Sequence, residues 1–185
     1  MFSDPFSAER VGDRHGVLPS SPKLHAPNCG IVSTRWKSRR PIHAKRLYDA
    51  LEEISSGTVR GRGYLWLANR PGFIQLWESA GEYLALETSG MWLPECDDGA
   101  WQAVSAERRT SASLLWDPYY GERRNELVFT GNDFEMLTLH ELLNRCLLTD
   151  AEISAGADSW CLPDDPFADA LGSADPPPSW GHHPQ

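Results

Sequence analysis

Arginine side chains cluster in the run RRPIHAKR at residues 39–46. Pro41 lacks a backbone N–H and biases the preceding residue, Arg40, toward extended conformations, so the run predicts a corner between a strand and a helix. A corner of this kind projects neighbouring guanidinium groups together. Because guanidinium groups bind carboxylates and phosphates in a bidentate manner, the corner is a candidate surface for an acidic partner.

Two interpretations of this corner stay open. In the first, Arg39, Arg40 and Arg46 contact a partner, because a positive patch attracts an acidic surface. In the second, Arg39 and Arg40 pair with acids of the protein itself, such as the pair Glu52-Glu53, because most surface charges are only solvated or weakly paired. His43 is likewise either a member of the partner site or a histidine at a helix cap or core edge.

A second basic stretch, VRGRGYLW at residues 59–66, places Arg60, Arg62, Tyr64 and Trp66 on one face of a predicted strand. Such a face is suited to stacking RNA bases beside arginine contacts. The alternative is that both aromatic side chains pack under the helices or against the neighbouring strand, because large aromatic side chains are usually buried. The salt dependence of binding discriminates the two, because RNA affinity falls steeply with ionic strength.

A third arginine pair follows the turn sequence WDPYYGE at residues 116–122 and precedes another predicted strand. The three arginine clusters and the adjacent histidine form the predicted partner-binding set. Its members are Arg39, Arg40, His43, Arg46, Arg60, Arg62, Arg123 and Arg124.

The residue patterns of common enzymes are missing from the sequence. It contains no G-x-x-x-x-G-K-[ST] P-loop, no G-x-G-x-x-G that opens a helix, no H-E-x-x-H and no G-x-S-x-G. Gly61 and Gly63 lie in mid-strand without a third glycine. We therefore predict no catalytic residues and no enzyme activity of the chain alone.

Metal and redox sites are not predicted either. The four cysteines, Cys29, Cys96, Cys146 and Cys161, show no C-x-x-C or C-x-C spacing, so neither a zinc knuckle nor a redox pair is supported. Buried, reduced thiols are expected instead. The pair His182-His183 offers two ligands, and a metal site needs more. We predict no cofactor and no tightly bound zinc.

Composition and charge place the chain among small globular proteins. It has 185 residues, 41% of them hydrophobic, and a net charge of −9, which argues against charge-driven binding to nucleic acids or anionic membranes. The charge is uneven, because residues 30–70 hold nine Lys or Arg against three acids and residues 71–162 hold five against sixteen. No apolar stretch of membrane-spanning length and no secretory signal is present, so a cytoplasmic protein without membrane contact is expected.

Proline residues divide the sequence into three parts. Of the 14 prolines, four lie in residues 1–29 and six in residues 163–185, and both segments are polar and lack periodicity. We predict a linker or disordered segment over 1–29, a folded domain over 30–162 and a Pro/Asp-rich disordered tail over 163–185.

Periodic patterns inside the predicted domain indicate the order β-α-β-β-β-(α)-β-α. Alternating side chains predict strands over residues 31–37, 59–68, 73–78, 82–87 and 125–130. Val59 is expected on the same face of the second strand as Leu65 and Leu67. Helical spacing predicts long helices over residues 43–54 and 136–147 and a short one over residues 106–116.

The order of these elements indicates an α+β fold. We expect a mostly antiparallel sheet of about four or five strands with two main helices packed on one face. Thr138-x-x-Glu141 and Thr149-x-x-Glu152 both match the capping-box pattern for a helix start.

Four stretches occur in the order of one known family. They are STRWKSRRPIHAKRL (33–47), VRGRGYLWLANRP (59–71), GERRNELVFTG (121–131) and CLLTDAE (146–152). Together they resemble the C-terminal domain of the CobW-like GTPases, which include zinc metallochaperones and nitrile hydratase activators. The stretch WDPYYGERR at residues 116–124 is similar to an actinobacterial branch that includes a ribosome-remodelling factor.

The resemblance implies an accessory role. In that family an N-terminal G domain carries the P-loop, the magnesium site and a C-x-C-C metal motif, and these patterns are missing from this sequence. The implied function is a non-catalytic interaction domain that docks on a G domain or on a metalloprotein client. Two alternatives stay open: a ribosome- or RNA-binding module that uses the arginine-rich face, and a truncated remnant of a CobW-like GTPase.

Overall fold

The computed structural model describes residues 31–56, 58–93, 98–160 and 164–172. The secondary structure in these ranges comprises β1 (Ile31–Ser38), α1 (Ala44–Ser56), β2 (Thr58–Leu65), β3 (Phe73–Ala80), β4 (Tyr83–Met91), α2 (Asp98–Ala103), α3 (Ala106–Leu114), β5 (Asn125–Asn132), α4 (Asp133–Arg145), α5 (Asp150–Ser154), a 3-10 helix (Ala157–Trp160) and α6 (Ala168–Leu171). No helix within these ranges is long and apolar enough to cross a membrane.

The five strands form one antiparallel sheet in the order β1-β5-β2-β3-β4. The last strand in sequence, β5, therefore lies between β1 and β2. Leu127 and Phe129 of β5 are fully buried. A strand buried in this way must pair on both edges, because its backbone N–H and C=O groups cannot reach water.

The core lies between one face of the sheet and the helices α1 and α4. Leu47, Ala50 and Ile54 of α1 are buried at spacings of three and four residues, and Leu139 and Leu143 of α4 pack with them. The sheet contributes Trp36, Leu65, Trp77, Leu127 and Phe129 to the same cluster. The predicted α+β fold, with a largely antiparallel sheet and two main helices on one face, is confirmed.

Glycine allows β2 to run close to β5. A Cβ atom at Gly63, where φ is +154°, would lie 1.9 Å from the backbone oxygen of Glu126. Any other residue at this position would push the two strands apart.

The second strand departs from the sequence prediction at both ends. It ends at Leu65 rather than at residue 68. Val59 is 58% exposed whereas Leu65 is fully buried, so the prediction that these two residues share one face of the strand is wrong. The cause is a β-bulge between Thr58 and Arg60 that shifts the register against β5 and turns Val59 outward.

The corner at residues 41–43 is fixed from both sides by backbone hydrogen bonds. Ile42 exchanges two of these bonds with residues 66–68, and Pro41 and His43 bond to residues 146–148, all at 2.8 or 2.9 Å. The Ile42 side chain is fully buried. The predicted strand-to-helix corner is therefore built into the interior of the fold.

The observed helix ends can be compared with the helix starts and ends that the sequence predicts. The capping box at Thr149 is confirmed, because Thr149 and Glu152 bond each other's backbone N–H groups at the start of α5. The one expected at Thr138 is wrong, because α4 begins at Asp133 and Thr138 lies inside it. Helix α3 ends at Leu114, two residues earlier than predicted.

Residues 164–172 pack against the domain, although the sequence predicts a disordered tail from residue 163. Phe167 is 4% exposed and belongs to the main core. The buried guanidinium of Arg70 donates to the Asp165 carboxylate at 2.9 Å and to the Gly172 carbonyl. Phe167 and the buried ion pair between Arg70 and Asp165 thus hold this segment against the domain, although its composition resembles that of a linker. The predicted linker over 1–29 lies outside the described residues.

Candidate functional site

Arg39 is anchored to the loop that follows α3. Its guanidinium donates to the backbone carbonyls of Leu115 at 2.6 Å, Arg123 at 3.1 Å and Gly121 at 3.2 Å. Because these three carbonyls belong to one loop and all accept from the same rigid guanidinium, Arg39 fixes the loop against the end of β1. The Arg39 side chain therefore holds this surface loop in place through contacts inside the protein.

Arg40 and Arg46 hold the start of α5. Arg40 donates to the Leu148 carbonyl at 3.2 Å and pairs with Asp150. One guanidinium nitrogen of Arg46 donates to both carboxylate oxygens of Glu152, at 2.9 and 2.8 Å. Pairing within the protein was one of the two predicted interpretations, but the partners are α5 acids and loop carbonyls rather than Glu52 or Glu53. Glu52 and Glu53 lie near the other end of α1.

The carboxylate of Glu152 is stabilised in its charged form. It accepts a hydrogen bond from the Thr149 backbone N–H at 2.7 Å as well as those from Arg46. The backbone hydrogen bond, with further contributions from Arg46, lowers the pKa of Glu152 to about 2. The acid thus stays charged through the physiological range and holds α5 to α1.

His43 occupies the cap position of α1. Its carbonyl accepts the first helical hydrogen bond, from the Leu47 N–H at 3.1 Å, and its Nδ1 lies 3.4 Å from the Arg46 backbone N–H. This is the N-cap arrangement that one interpretation of the sequence predicts. Burial, followed by the nearby Arg46 charge, lowers the pKa of His43, so the imidazole is neutral at pH 7.

Arg123 and Arg124 are also engaged inside the protein. The Arg123 guanidinium lies 5.7 Å from the centre of the Trp66 ring, a cation–π contact. Arg124 donates to the Glu126 carboxylate at 3.0 Å and to the Glu122 carbonyl at 3.1 Å. Burial lowers the pKa of both arginines, which remain charged because their ordinary pKa is so high.

Arg60 and Arg62 are the two predicted site residues that extend away from the protein. They share a single acid, Glu78, at 3.4 and 3.7 Å, and their side chains are 60% and 45% exposed. A guanidinium has five N–H donors, so one shared carboxylate leaves most of them accessible to solvent. Both side chains stand on the sheet face opposite the α1 and α4 helices.

Sequence reasoning missed two further cations on this face, Arg35 and Lys37 of β1. The strand register aligns Arg35 with Arg62 across Val128 of β5. Both β1 side chains contact the buried carboxylate of Glu126 and remain 42% and 51% exposed. The signal was present in the sequence, because residues 35 and 37 flank the inward Trp36 and must point to the opposite face. We call Arg35, Lys37, Arg60 and Arg62 the cationic face.

The predicted stacking partner Trp66 lies on this side of the sheet but is buried there, in a second apolar cluster with Ile74 and Trp92. It is 3% exposed, donates its indole N–H to the Pro71 carbonyl at 3.0 Å and meets Tyr120 edge-on. The alternative that it packs inside the protein is confirmed, because its ring is covered by the neighbouring aromatic side chains and is not free to stack on a base. Tyr64 stays on the sheet face and is half-buried.

The described residues show no group of three or more His, Cys, Asp or Glu side chains placed to hold a metal ion. Cys146 is buried, and its thiol donates to the Leu142 carbonyl at 3.3 Å. Burial raises the pKa of this thiol, so it is protonated at neutral pH. The other three cysteines and the pair His182-His183 lie outside the described residues.

Comparison with known proteins gives a consistent set of relatives. The family model described as the cobalamin synthesis protein cobW C-terminal domain matches residues 31–147. The zinc-regulated GTPase metalloprotein activator 1 of Dictyostelium discoideum is 32% identical over 162 residues, which are 84% of this chain and 34% of that protein. A zinc chaperone of Mycobacterium tuberculosis is 34% identical over 153 residues, 83% of this chain and 38% of that protein. The chain thus spans between 34% and 38% of the length of these relatives. Among solved structures, the zinc-bound YjiA GTPase of E. coli is similar at 12% identity and a TM-score of 0.45, over 64% of this chain and 30% of that one.

Proposed function

The chain belongs to the family of cobW C-terminal domains, and we propose that it is a non-catalytic accessory domain that docks on the G domain of a GTPase of this family. The two relatives described above are named as a GTPase metalloprotein activator and as a zinc chaperone. Both are much longer than this chain, and the family model concerns a C-terminal domain. A domain of this kind acts through what it binds.

The observation that carries the proposal is the pair of exposed guanidiniums, Arg60 and Arg62, on the sheet face opposite α1 and α4. Arg60 and Arg62 share one carboxylate at 3.4 and 3.7 Å, so they attract acidic groups of an approaching surface. Arg35 and Lys37 extend the same charge across β1. These four cations, on the two strands that flank β5, would attract an acidic surface of a G domain and raise the association rate with it.

The remaining predicted site residues shape this surface. Arg39, Arg40 and Arg46 bond to loop carbonyls and α5 acids, and Arg123 and Arg124 are held against Trp66 and Glu126. We propose that these five arginines, with His43 at the cap of α1, position the docking surface. In this proposal Arg60 and Arg62 make the direct contacts.

A binding experiment with a charge-reversal variant tests the proposal. The full chain is titrated with the G domain encoded by a CobW-family gene of the same genome, in 50 mM and in 300 mM salt. The double variant Arg60→Glu and Arg62→Glu is expected to bind about tenfold more weakly or worse at low salt, because it replaces attraction by repulsion at two contacts. The difference should shrink at high salt, where exposed charges are screened.

Lys45→Glu is the matched control. Lys45 lies on α1 and is 56% exposed, against 60% for Arg60, and within the described ranges its ion pair is with Asp49 of its own helix. Lys45→Glu is compared with the single variant Arg60→Glu, because each of them replaces one positive charge by one negative charge. If the two single variants weaken binding equally, the effect is one of net charge and the assigned face is wrong. Absence of binding by the unchanged protein also refutes the proposal.

The same titration with ribosomal RNA and with a purified metalloprotein client tests the other partners. RNA binding that falls steeply with salt, without G-domain binding, would replace the proposal by the RNA-binding alternative. The burial of Trp66 argues against it, because a stacking surface needs exposed aromatic rings. Binding to the client alone would replace the G domain by the client.

A further inference from the structure

A cavity of about 300 Å³ lies between α3 and the sheet face that carries the cationic residues. Its walls are apolar: Tyr64, Ile74 and Trp92 on the sheet side, and Leu114 and Leu115 at the end of α3. Cavities of this size hold small ligands or one large side chain, with a few polar groups that set the orientation.

Helix α3 forms the second wall because its lining residues recur on one helical face. Arg108, Ser111 and Leu114 follow each other at intervals of three residues and all line the cavity. The loop after α3 is fixed by Arg39, which binds three of its carbonyls. The cavity is thus held open by the fold rather than by an exposed loop.

Two buried carboxylates form the polar part of the cavity. Glu122 is 1% exposed and is bound by Arg108 through two hydrogen bonds of 2.6 Å. It also accepts the Leu93 backbone N–H at 2.7 Å, so three hydrogen bonds within the protein use most of the roughly four acceptor positions of this carboxylate.

The second carboxylate, Glu126, is 2% exposed and is shared by three cations. Arg124 donates to one oxygen at 3.0 Å, while Lys37 lies 3.3 Å from the other oxygen and Arg35 contacts it as well. The two carboxylates therefore face four cations. Of the two β1 cations, which remain about half exposed, Arg35 lines the cavity and Lys37 reaches its edge through its contact with the lining residue Glu126. The site carries an excess of positive charge.

At Lys37 the neighbouring positive charges add to the effect of burial. Burial lowers the pKa of this ammonium, and repulsion by Arg35, Arg124 and Arg39 lowers it further. An anion placed beside Lys37 would relieve the repulsion, whereas a cationic ligand would add to it.

We propose that this cavity binds an organic carboxylate with an apolar body, the carboxylate lying between Arg35 and Lys37 and the apolar body against Trp92 and Leu115. Two kinds of ligand combine a carboxylate with an apolar body: a free carboxylic acid, and the C-terminal residue of another protein when that residue is apolar. A phosphate without an apolar body would leave the apolar walls unused. The site is separate from the contacts proposed for Arg60 and Arg62.

Isothermal titration of the full chain with four probes tests the site. The probes are 4-phenylbutyrate, its uncharged amide 4-phenylbutanamide, a short peptide that ends in phenylalanine with a free carboxylate, and the same peptide with a C-terminal amide. At least one acid is expected to bind at least about tenfold more tightly than its amide, because hydrogen bonds to charged groups are the stronger ones. Binding of 4-phenylbutyrate alone identifies a free acid, and binding of the acidic peptide alone identifies a protein terminus.

Two variants of α3 show whether binding occurs in this cavity. Ser111→Phe places a ring in the cavity and is expected to weaken binding by about tenfold or more, without lowering the melting temperature. Ser113→Phe, on the same helix but not among the lining residues, is the control and should bind as the unchanged protein does. Lys37→Gln should reduce the preference for acid over amide and keep the fold.

Three results would overturn the assignment: no heat with any probe at 5 mM, equal affinity for acids and amides, or full affinity in Ser111→Phe. None of them depends on G-domain binding, because both α3 variants retain Arg60 and Arg62. Likewise, loss of G-domain binding in the β2 double variant leaves the cavity intact, so the two proposals fail separately.

Discussion

Replacement of Gly63 by alanine is expected to destabilise the protein far more than the removal of a glycine usually does. A Cβ at this position would lie 1.9 Å from the Glu126 backbone oxygen, whereas real Cβ contacts essentially never fall below 3.0 Å. The two strands must therefore separate by more than about 1 Å, which breaks hydrogen bonds between β2 and β5. The same shift moves Glu126 and, with it, the contacts of Arg35 and Lys37.

The expected free-energy cost has three contributions. Two weakened ladder hydrogen bonds cost about 1 kcal/mol each, overpacking costs about 1–3 kcal/mol, and a positive φ near the glycine-only region costs about 1–3 kcal/mol. The total is about 4–8 kcal/mol, a large fraction of the stability of an ordinary domain. A chain of this length should lose about 10 °C or more in melting temperature.

Gly81→Ala is the matched control, because Gly81 also has a positive φ, +57°, but nothing lies within 4 Å of its Cβ position. It should cost only about 1–2 kcal/mol, the strain of the left-handed conformation. Urea and thermal unfolding are followed by the fluorescence of the eight tryptophans. If Gly63→Ala melts within about 2 °C of Gly81→Ala, the close approach of β2 and β5 is not the constraint that the structure indicates.

Three further outcomes are expected. Asp165→Asn should cost about 3 kcal/mol in urea unfolding, because it removes a negative charge that is paired with the buried Arg70. Asp49→Asn, at an exposed residue, should cost less than about 1 kcal/mol; equal costs would contradict the role of residues 164–172 in the core. Because the folded-state pKa of Glu152 is lowered from 4.5 to about 2, its contribution to stability is fully present above pH 5 and is lost as the pH falls toward 2. The stability difference between the unchanged protein and Glu152→Gln should therefore shrink over that range, and a difference that stays constant in urea unfolding from pH 6 to pH 2.5 would refute the assignment. Since burial raises the pKa of Cys146, iodoacetamide at pH 7.5 should label it only after unfolding, as read by peptide mass spectrometry; rapid labelling of the native protein would show that the thiol is accessible.

The elements that the sequence predicted well are those with local signals. The buried residues of α1 recur at helical spacing, and the Thr149 capping box depends on residues three apart, so neither needs knowledge of the rest of the chain. The boundary of β2 could not be predicted in this way. Val59 turns outward because β5, more than 60 residues later in sequence, pairs with β2 through a bulge.

The site residues also have properties that can be predicted from the sequence and others that cannot. The arginine-rich character of residues 35–62 is readable from the sequence, but the destination of each guanidinium depends on which carbonyls and carboxylates lie within about 3 Å of it. Arg39 bonds to carbonyls more than 75 residues away in sequence. Sequence reasoning therefore identified the basic region and could not separate its structural arginines from its exposed ones.

By itself, the sequence determined the α+β class, the amphipathic helices and the resemblance to the cobW C-terminal domain, because these follow from side-chain period and from motifs of neighbouring residues. Only the tertiary structure decided that β5 lies between β1 and β2. That placement brings Glu126 beside Arg35, Lys37 and Arg124 and leaves Arg60 and Arg62 with one shared acid. The physical reason is that ion pairs and cavities depend on distances across the sheet, which strand order sets and local spacing does not.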